Sequence, residues 1–222
     1  MVLKIVAIIA LGYFLGAIPS GLIIGKLARG VDVRQYGSGR IGFANVLRAA
    51  GGKAGAATFC ADVGKGALAA FLGGVVFGGT VATAGSVPFD IHGAQALGAA
   101  MAIVGHNWPV YTRFDGGRGV DTALGGLMAM CWWAGLGCLA IGLAIIFISR
   151  YVSVGSMLGT FSSVVILAGP VAVGYQPVEY LIYGAVATAL VVFQHRDNIG
   201  RLRAGTERKL GQKADRRAQA QG

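Results

Sequence analysis

Residues 120–149, VDTALGGLMAMCWWAGLGCLAIGLAIIFIS, form an apolar run of 30 residues that decides how often the chain crosses a membrane. A single crossing would leave Arg150 on the opposite side from the basic loop that precedes the run. Two short spans would return Arg150 to that side, although roughly 14 residues cover only about 21 Å of a ~30 Å hydrocarbon core. The turn would lie at a cluster of residues suited to the membrane interface: Trp132, Trp133, Gly135 and Gly137. We predict two spans here, with one span as the alternative.

Apolar runs on either side of this segment predict the remaining spans. They lie near residues 3–25, 56–78, 93–111, 152–169 and 179–194. Lys and Arg are dense at 26–53, at 113–118, at Arg150 and after His195, whereas 74–93 and 169–179 have none. Basic loops stay on the cytoplasmic side. The prediction is an all-α polytopic membrane protein with seven transmembrane helices (six in the alternative), the amino end outside and the carboxyl tail cytoplasmic.

The composition excludes a soluble enzyme or transcription factor. Of the 222 residues, 55% are hydrophobic and 13% charged, against about 25% charged in a typical soluble domain. The 38 glycines favour close packing of membrane helices. The net charge of +10 fits an anionic membrane surface, because many of the basic residues follow the last span. Nucleic acid is not an expected partner.

The chain is expected to be one membrane domain, residues 1–198, with a basic cytoplasmic tail, residues 199–222. The first apolar run lacks a cleavage site followed by a soluble domain, which predicts a retained span rather than a signal peptide. Asp62 and Lys65 lie three apart and so on one helical face. They are interpreted as a neutralising pair in preference to the lining of a polar cavity.

Two glycine-rich segments on the predicted cytoplasmic face are candidates for binding an anion. Glycine lets backbone N–H groups turn toward a phosphate, and Arg, Ser and Asn side chains add donors. The first segment supplies Gly37, Ser38, Gly39, Asn45 and Arg48, and the second supplies Gly116, Gly117, Arg118 and Gly119. Two such clusters indicate two phosphates, or one phosphate held from both sides.

Two further polar segments lie on the same predicted face. Ser153 and Ser156 stand at the cytoplasmic start of a span, where a helix amino end favours an anion. His195 and Asn198 lie where the last span reaches water. Few carboxylates accompany these residues, so no metal site is predicted, and three scattered cysteines lack zinc or disulfide spacing. A covalent serine enzyme is disfavoured because no Gly-x-Ser-x-Gly elbow occurs.

At these segments the sequence resembles the PlsY family, bacterial membrane acyltransferases that use acyl phosphate to acylate glycerol 3-phosphate. The resembling strings are Gly16-Ala17-Ile18-Pro19-Ser20-Gly21, Gly37-Ser38-Gly39, Asn45-Val46-Leu47-Arg48, Gly105-His106-Asn107-Trp108-Pro109, Gly116-Gly117-Arg118-Gly119-Val120, Arg150-Tyr151-Val152-Ser153 and His195-Arg196-Asp197-Asn198-Ile199, with Glu207 beyond. The resemblance implies an inner-membrane enzyme with its active site on the cytoplasmic side and no cofactor. Its partners would be the two substrates and membrane lipids, with a functional link to a soluble enzyme that forms acyl phosphate.

The resemblance also implies roles for the candidate residues. Catalytic roles fall on Ser38, Arg48, Arg118, His195 and Asn198. Substrate or phosphate binding falls on Gly37, Gly39, Asn45, Gly116, Gly117, Gly119, Ser153, Ser156 and Glu207. The reaction would give lysophosphatidic acid and phosphate.

The sequence departs from the family pattern inside the candidate site. The usual Gly-Asn-Ile-Gly-Ala-Thr-Asn reads Gly39-Arg40-Ile41-Gly42-Phe43-Ala44-Asn45, and the usual Gly-Gly-Lys-Gly-Val-Ala reads Gly116-Gly117-Arg118-Gly119-Val120-Asp121. We expect the new charges of Arg40 and Asp121 to compensate each other. The alternatives are an acyltransferase with a different acceptor, and a non-enzymatic protein that binds or carries an organic anion.

Overall fold

The computed structural model describes residues 1–78, 82–84 and 87–212. Its α-helices are α1 (Val2–Ala17), α2 (Ser20–Arg29), α3 (Phe43–Ala50), α4 (Gly52–Phe77), α5 (Ile91–Asn107), α6 (Val120–Met130), α7 (Trp132–Ser149), α8 (Val152–Ala172), α9 (Val178–Gln194) and α10 (Arg196–Arg203). Short 3-10 turns lie at Val33–Gln35 and Val110–Thr112. The strands β1 (Ala82–Ala84) and β2 (Val87–Phe89) pair antiparallel.

The apolar run at 120–149 forms two helices, where two spans were predicted. Helix α6 ends at Met130 and α7 begins at Trp132, so the break directly precedes the predicted turn cluster, which lies in the first turns of α7. The break falls at Cys131, whose φ of −150° and ψ of 82° are extended. At 1.5 Å per residue α6 spans about 16 Å, so it is shorter than a hydrocarbon core.

Among the residues that the structure describes, four stretches are long and apolar enough to cross a membrane by themselves. They are Val2–Arg29, Gly52–Phe77, Trp132–Ser149 and Val152–Ala172. A fifth arises if α9 and α10, which meet at a bend of 58°, count as one span. The prediction of a helical membrane architecture is confirmed at this level.

The first predicted span, 3–25, is divided rather than continuous. Helix α1 ends at Ala17 and α2 begins at Ser20, with Pro19 between them. Proline has no N–H to donate and disfavours helical geometry in the residue before it, so Ile18 leaves the helix with a φ of −56° and a ψ of 117°. The break exposes the Ile18 carbonyl, which accepts a hydrogen bond of 3.0 Å from Lys65 Nζ.

The hairpin of β1 and β2 corrects the purely α-helical prediction. Its register pairs Ala82 with Phe89 and Ala84 with Val87. The hairpin lies in the loop between α4 and α5, which was predicted only to face outward.

Glycines allow the helices to pack at backbone distance. A Cβ added to Gly16 in α1 would overlap the backbone of Ala102 in α5, and one added to Gly66 in α4 would overlap that of Thr122 in α6. The apolar core beside these contacts joins α5, α6 and α9, where the Tyr183 hydroxyl donates to the Ala123 carbonyl at 2.8 Å. The prediction of small-residue helix packing is confirmed.

The predicted Asp62–Lys65 pair is present in α4. Lys65 Nζ lies 2.7 Å from Asp62 Oδ1, and both side chains are buried. His106 at the end of α5 brings its Nδ1 to 3.6 Å from the same carboxylate oxygen. The pair therefore ties α4 both to α5 and, through Ile18, to the break between α1 and α2.

Candidate active site

A polar cavity of about 90 Å³ lies where the loops after α2, α5, α7 and α9 meet. The structure brings ten of the predicted site residues to its wall: Ser38, Asn45, Arg48, Arg118, Gly119, Ser153, Ser156, His195, Asn198 and Glu207. The other four, Gly37, Gly39, Gly116 and Gly117, lie buried behind the wall. Segments far apart in sequence thus form one site.

The loop that carries Ser38 is held by Asn45 at the start of α3. Asn45 Nδ2 donates to the carbonyls of Val33 and Arg40, each at 2.8 Å, and its Oδ1 accepts from Ser38 N–H at 3.1 Å. The backbone turns at Gly37 and Gly39, with φ of 53° and 73°, which favour glycine. Because both N–H groups of its side-chain amide are engaged within the protein, Asn45 shapes the loop that presents Ser38.

The loop that carries Arg118 rests on the end of α5. Gly117 N–H donates to the His106 carbonyl at 2.9 Å, and a Cβ on Gly117 would overlap the His106 imidazole. Gly119 has a φ of 76° and directly precedes α6, as its N-cap. These glycines act here through tight packing, and the N–H of Gly117 is engaged within the protein.

Arg118 places an unpaired cation in the cavity wall. Its Nε is buried and has no hydrogen-bond partner among the described residues. Burial, followed by the nearby charges of Arg40 and Arg201, lowers the pKa of Arg118 to about 10. The guanidinium is therefore protonated at neutral pH and suited to bind an anion.

Glu207 joins three segments through one carboxylate. Oε1 accepts from Ser153 Oγ at 2.9 Å and from Asn198 Nδ2 at 2.6 Å, while Oε2 accepts from Arg201 Nε at 2.8 Å. Burial works to raise the pKa of Glu207, but the hydrogen bonds from Asn198, Arg201 and Ser153 outweigh it and hold the pKa below its usual value. Ser153, predicted as an anion donor, thus donates to a carboxylate of the protein.

His195 is buried at the junction of α9 and α10. Its Nδ1 lies 2.8 Å from the Val191 carbonyl. Because a carbonyl can only accept, Nδ1 carries the proton, and Nε2 of the neutral ring is left as an acceptor. The ring can therefore receive a hydroxyl hydrogen bond from a bound ligand.

Several residues of the wall were not assigned by the sequence. The most important are the cations Arg40, Arg201 and Arg208, together with Phe43 and His106. Arg201 follows Asn198 by three positions on α10, so the two lie on one helical face. This spacing could have identified Arg201 from the sequence. Arg40 lies 3.8 Å from Asp115 and 3.6 Å from Asp197. Arg40 therefore pairs with Asp115 and Asp197, and not with Asp121 as expected.

The balance of charge favours an anionic ligand. Five arginines reach the wall: Arg40, Arg48, Arg118, Arg201 and Arg208. The carboxylates in the wall are Asp121 and Glu207, and Glu207 is already paired with Arg201. Within the described ranges, no group of three His, Cys, Asp or Glu residues has the arrangement of a metal site.

An apolar groove of about 120 Å³ adjoins the polar cavity. The two share wall residues from α3, α6 and α8: Phe43, Val120, Asp121, Val152 and Ser156. From there the groove runs between α6, α7 and α8 past Leu127, Leu139 and Leu143. The arrangement offers a site for a ligand with an anionic head and an apolar chain.

The chain is similar to proteins of one enzyme family along nearly its whole length. Residues 6–205 match the family model described as "Glycerol-3-phosphate acyltransferase". A glycerol-3-phosphate acyltransferase of Thermoanaerobacter sp. (strain X514) is 41% identical over 94% of this chain and 96% of its own. A glycerol-3-phosphate acyltransferase 3 of Dehalococcoides mccartyi (strain ATCC BAA-2266 / KCTC 15142 / 195) is 38% identical over 96% and 99%.

Solved structures show the same similarity. The integral membrane glycerol 3-phosphate acyltransferase PlsY (YgiH), in its glycerol 3-phosphate form, aligns with a TM-score of 0.79 and 34% identity, covering 93% of this chain and 96% of that one. The lysophosphatidic acid form of the same protein aligns with a TM-score of 0.78 and 33% identity, covering 93% and 95%. The expected resemblance to the PlsY family is confirmed.

Proposed function

Because the chain belongs to the glycerol-3-phosphate acyltransferase (PlsY) family, we propose that it acylates the 1-hydroxyl of sn-glycerol 3-phosphate with acyl phosphate as donor. The products are lysophosphatidic acid and phosphate. The observation that carries this proposal is the junction of a cationic cavity with an apolar groove. Both substrates are anions, and the donor and the lipid product carry an acyl chain.

The geometry suits a reaction that depends on positioning. The C1 hydroxyl oxygen forms the new ester bond to the acyl carbonyl carbon, and the bond from that carbon to the phosphate oxygen breaks. Phosphate leaves with the bonding electrons, and the hydroxyl proton passes to a phosphate oxygen. An acyl phosphate is a mixed anhydride with a good leaving group, so holding two anions in attack geometry supplies much of the acceleration.

The residues of the wall divide between these tasks. Ser38 and Arg118 bind the phosphate that leaves from the donor, on loops shaped by the buried glycines 37, 39, 116, 117 and 119. Arg48 grips a substrate from α3, where burial and then Arg208 lower the pKa of its guanidinium. His195 and Asn198 orient glycerol phosphate. The substrate site is completed by Asn45, Ser153, Ser156 and Glu207. Of these, Asn45 and Glu207 hold the segments of the site in place.

We propose acyl phosphate as the donor because the cavity places several arginines at the head of the groove. A phosphoryl group at this position would meet Arg118 and Ser38 while its acyl chain entered the groove. The proposed functional link is to a soluble enzyme that forms the acyl phosphate.

We also propose seven spans in a bacterial inner membrane, with the amino end outside and the site facing the cytoplasm. The loops near residues 38, 118, 153 and 207 share one cavity, which supports their lying at one membrane face. The segment from α6 to α7 joins two of these loops. It would therefore cross the membrane an even number of times. In this proposal residues 1–198 are the acyltransferase domain and residues 199–222 a basic cytoplasmic tail.

The proposal is tested by incorporation of labelled glycerol 3-phosphate into lipid by purified protein in liposomes. Palmitoyl phosphate is compared with palmitoyl-CoA at equal concentration. Labelled lysophosphatidic acid formed only from palmitoyl phosphate is the expected result. Product formed from palmitoyl-CoA alone would overturn the assigned donor, and no product with either donor would overturn the reaction.

A further inference from the structure

Arg40 has a fixed backbone and a loosely held side chain. Its carbonyl accepts a hydrogen bond from Asn45 Nδ2 at 2.8 Å, which holds the backbone of this residue in place. Its side chain is 18% exposed and lines the polar cavity. The guanidinium is thus placed at the cavity wall, on a backbone that Asn45 holds.

The partners of the guanidinium are weak ones. Asp115 lies at 3.8 Å and Asp197 at 3.6 Å, and these two carboxylate side chains are 59% and 47% exposed. By contrast, Arg34 pairs with Asp32 at 2.7 Å, and Arg201 pairs with Glu207 at 2.8 Å. Long contacts to solvated carboxylates contribute little binding energy. A phosphate dianion inside the less solvated cavity would compete well for this side chain.

The charge of the reactants provides a reason for a further cation. A phosphate monoester carries nearly two negative charges at neutral pH, and the proposed reaction brings two phosphates together. Arg201 is neutralised by Glu207. The remaining arginines of the wall, Arg40 among them, are therefore needed to balance two such anions.

We propose that Arg40 leaves Asp115 and Asp197 to bind, together with Arg118, a phosphate monoester dianion in the cavity. The proposal rests on the proposed function for the identity of the phosphate, which belongs either to the acceptor or to the donor. In the absence of ligand, Asp115 and Asp197 pair with the Arg40 side chain. Arg40 is a substrate-binding residue that sequence reasoning had treated only as a departure from the family pattern.

The first test replaces Arg40 and a matched arginine on the same face. Arg40→Gln is expected to raise KM by about tenfold or more for one substrate, the size of a lost charge-assisted hydrogen bond. Arg40→Lys recovers part of the effect because it keeps the charge. Arg34→Gln removes an equal charge outside the cavity and leaves both KM values within about twofold. The substrate whose KM rises identifies the phosphate; unchanged KM values for both substrates overturn the proposal.

The second test separates ligand binding from a structural bridge. If Arg40 binds phosphate, Asp115→Asn with Asp197→Asn removes its competitors and lowers the same KM. This gain must disappear in the Arg40→Gln background. If Arg40 only bridges the loops, the Asp variants raise KM as Arg40→Gln does, and the proposal fails.

A third measurement does not depend on turnover. Inorganic phosphate should raise the apparent melting temperature of the wild-type protein in detergent, and it should do so markedly less for Arg40→Gln. Arg34→Gln should respond as the wild type does. This result in a protein without acyltransferase activity would overturn the proposed function and leave the role of Arg40 standing. Equal stabilisation of wild type and Arg40→Gln would overturn the role of Arg40.

Discussion

The carboxylate of Glu207 shows how one side chain can assemble a site from distant segments. It receives hydrogen bonds from α8 through Ser153 and from α10 through Asn198 and Arg201. An ionised carboxylate is a stronger acceptor than an amide. Ordering of the segment after α10 is therefore linked to the ionisation of this residue.

This linkage predicts a pH-dependent stability difference between the wild type and Glu207→Gln. The pKa of Glu207 is lower in the folded protein than its usual 4.5. Its stabilising effect is therefore fully present above pH 4.5 and is lost as the pH falls through the folded pKa. The wild type should melt at a higher temperature than Glu207→Gln at pH 7, and the difference should shrink below pH 4.5. A difference that stays constant with pH would contradict the assigned charge state.

At the scale of elements, the end of α5 supports the loop that carries Arg118. The His106 carbonyl accepts from Gly117 N–H, and its ring fills the space where a side chain at residue 117 would lie. Glycine is required here by close approach. The position of Arg118 thus depends on the packing of this loop against α5.

Gly117→Ala is therefore expected to displace the loop and reduce turnover by at least tenfold, with a stability loss of about 1–3 kcal/mol from overpacking. Gly64→Ala is the matched control, because a Cβ there meets nothing within 4 Å. In the middle of α4 that change should be neutral or stabilising by up to about 1 kcal/mol. Activity assays and thermal melts on both variants check the prediction. Full activity in Gly117→Ala would contradict the packing argument.

The ion pair inside α4 makes a second prediction at this scale. Lys65→Met leaves Asp62 buried beside His106 without its closest cation. Breaking a buried pair in this way costs about 3–5 kcal/mol. Asp62→Asn with Lys65→Met should melt closer to the wild type than Lys65→Met alone. An additive loss in the double variant would show that the two residues do not act as a pair.

Most of the helices were predictable from the sequence. The breaks between them were predictable only in part. The apolar runs gave α4, α5, α8 and α9 close to their ends because hydropathy alone marks a span. The division of the first span at Pro19 was not predicted, because the 28 residues from Val2 to Arg29 form one apolar stretch in the sequence. The hairpin after α4 was missed because three-residue strands are too short to show a periodic pattern.

The site was predictable in its residue types and not in its pairings. Gly, Arg, Ser and Asn near the basic loops indicated an anion site, and the cavity gathers them. That Ser153 donates to Glu207, and that Arg40 lies between Asp115 and Asp197, depends on loop geometry. Loop geometry is fixed by contacts between segments distant in sequence, which a single sequence does not reveal.

At the scale of the whole molecule, one cavity requires several loops at the same membrane face. Seven spans satisfy this condition, whereas six spans place residue 111 and residue 209 on opposite sides. Tyr111 is exposed near one of these loops, and Lys209 is exposed after α10. These two positions therefore distinguish the topologies.

The prediction is tested with single cysteines in a variant that lacks Cys60, Cys131 and Cys138. Tyr111→Cys and Lys209→Cys should both react with a membrane-impermeant maleimide only after the cells are opened. Tyr175→Cys, in the loop between α8 and α9, should react in intact cells. Labelling of Lys209→Cys but not of Tyr111→Cys in intact cells would favour six spans.

The proposed reaction is the transfer of an acyl group from acyl phosphate to glycerol 3-phosphate in the cationic cavity. The most direct test is phosphate release from palmitoyl phosphate by the purified protein in lipid, with and without glycerol 3-phosphate, beside Arg118→Ala. We predict release that depends on the acceptor and falls by at least about a hundredfold in Arg118→Ala, since in the proposed reaction Arg118 stabilises charge on the phosphate. Release indifferent to glycerol 3-phosphate, or unchanged in Arg118→Ala, would contradict the account.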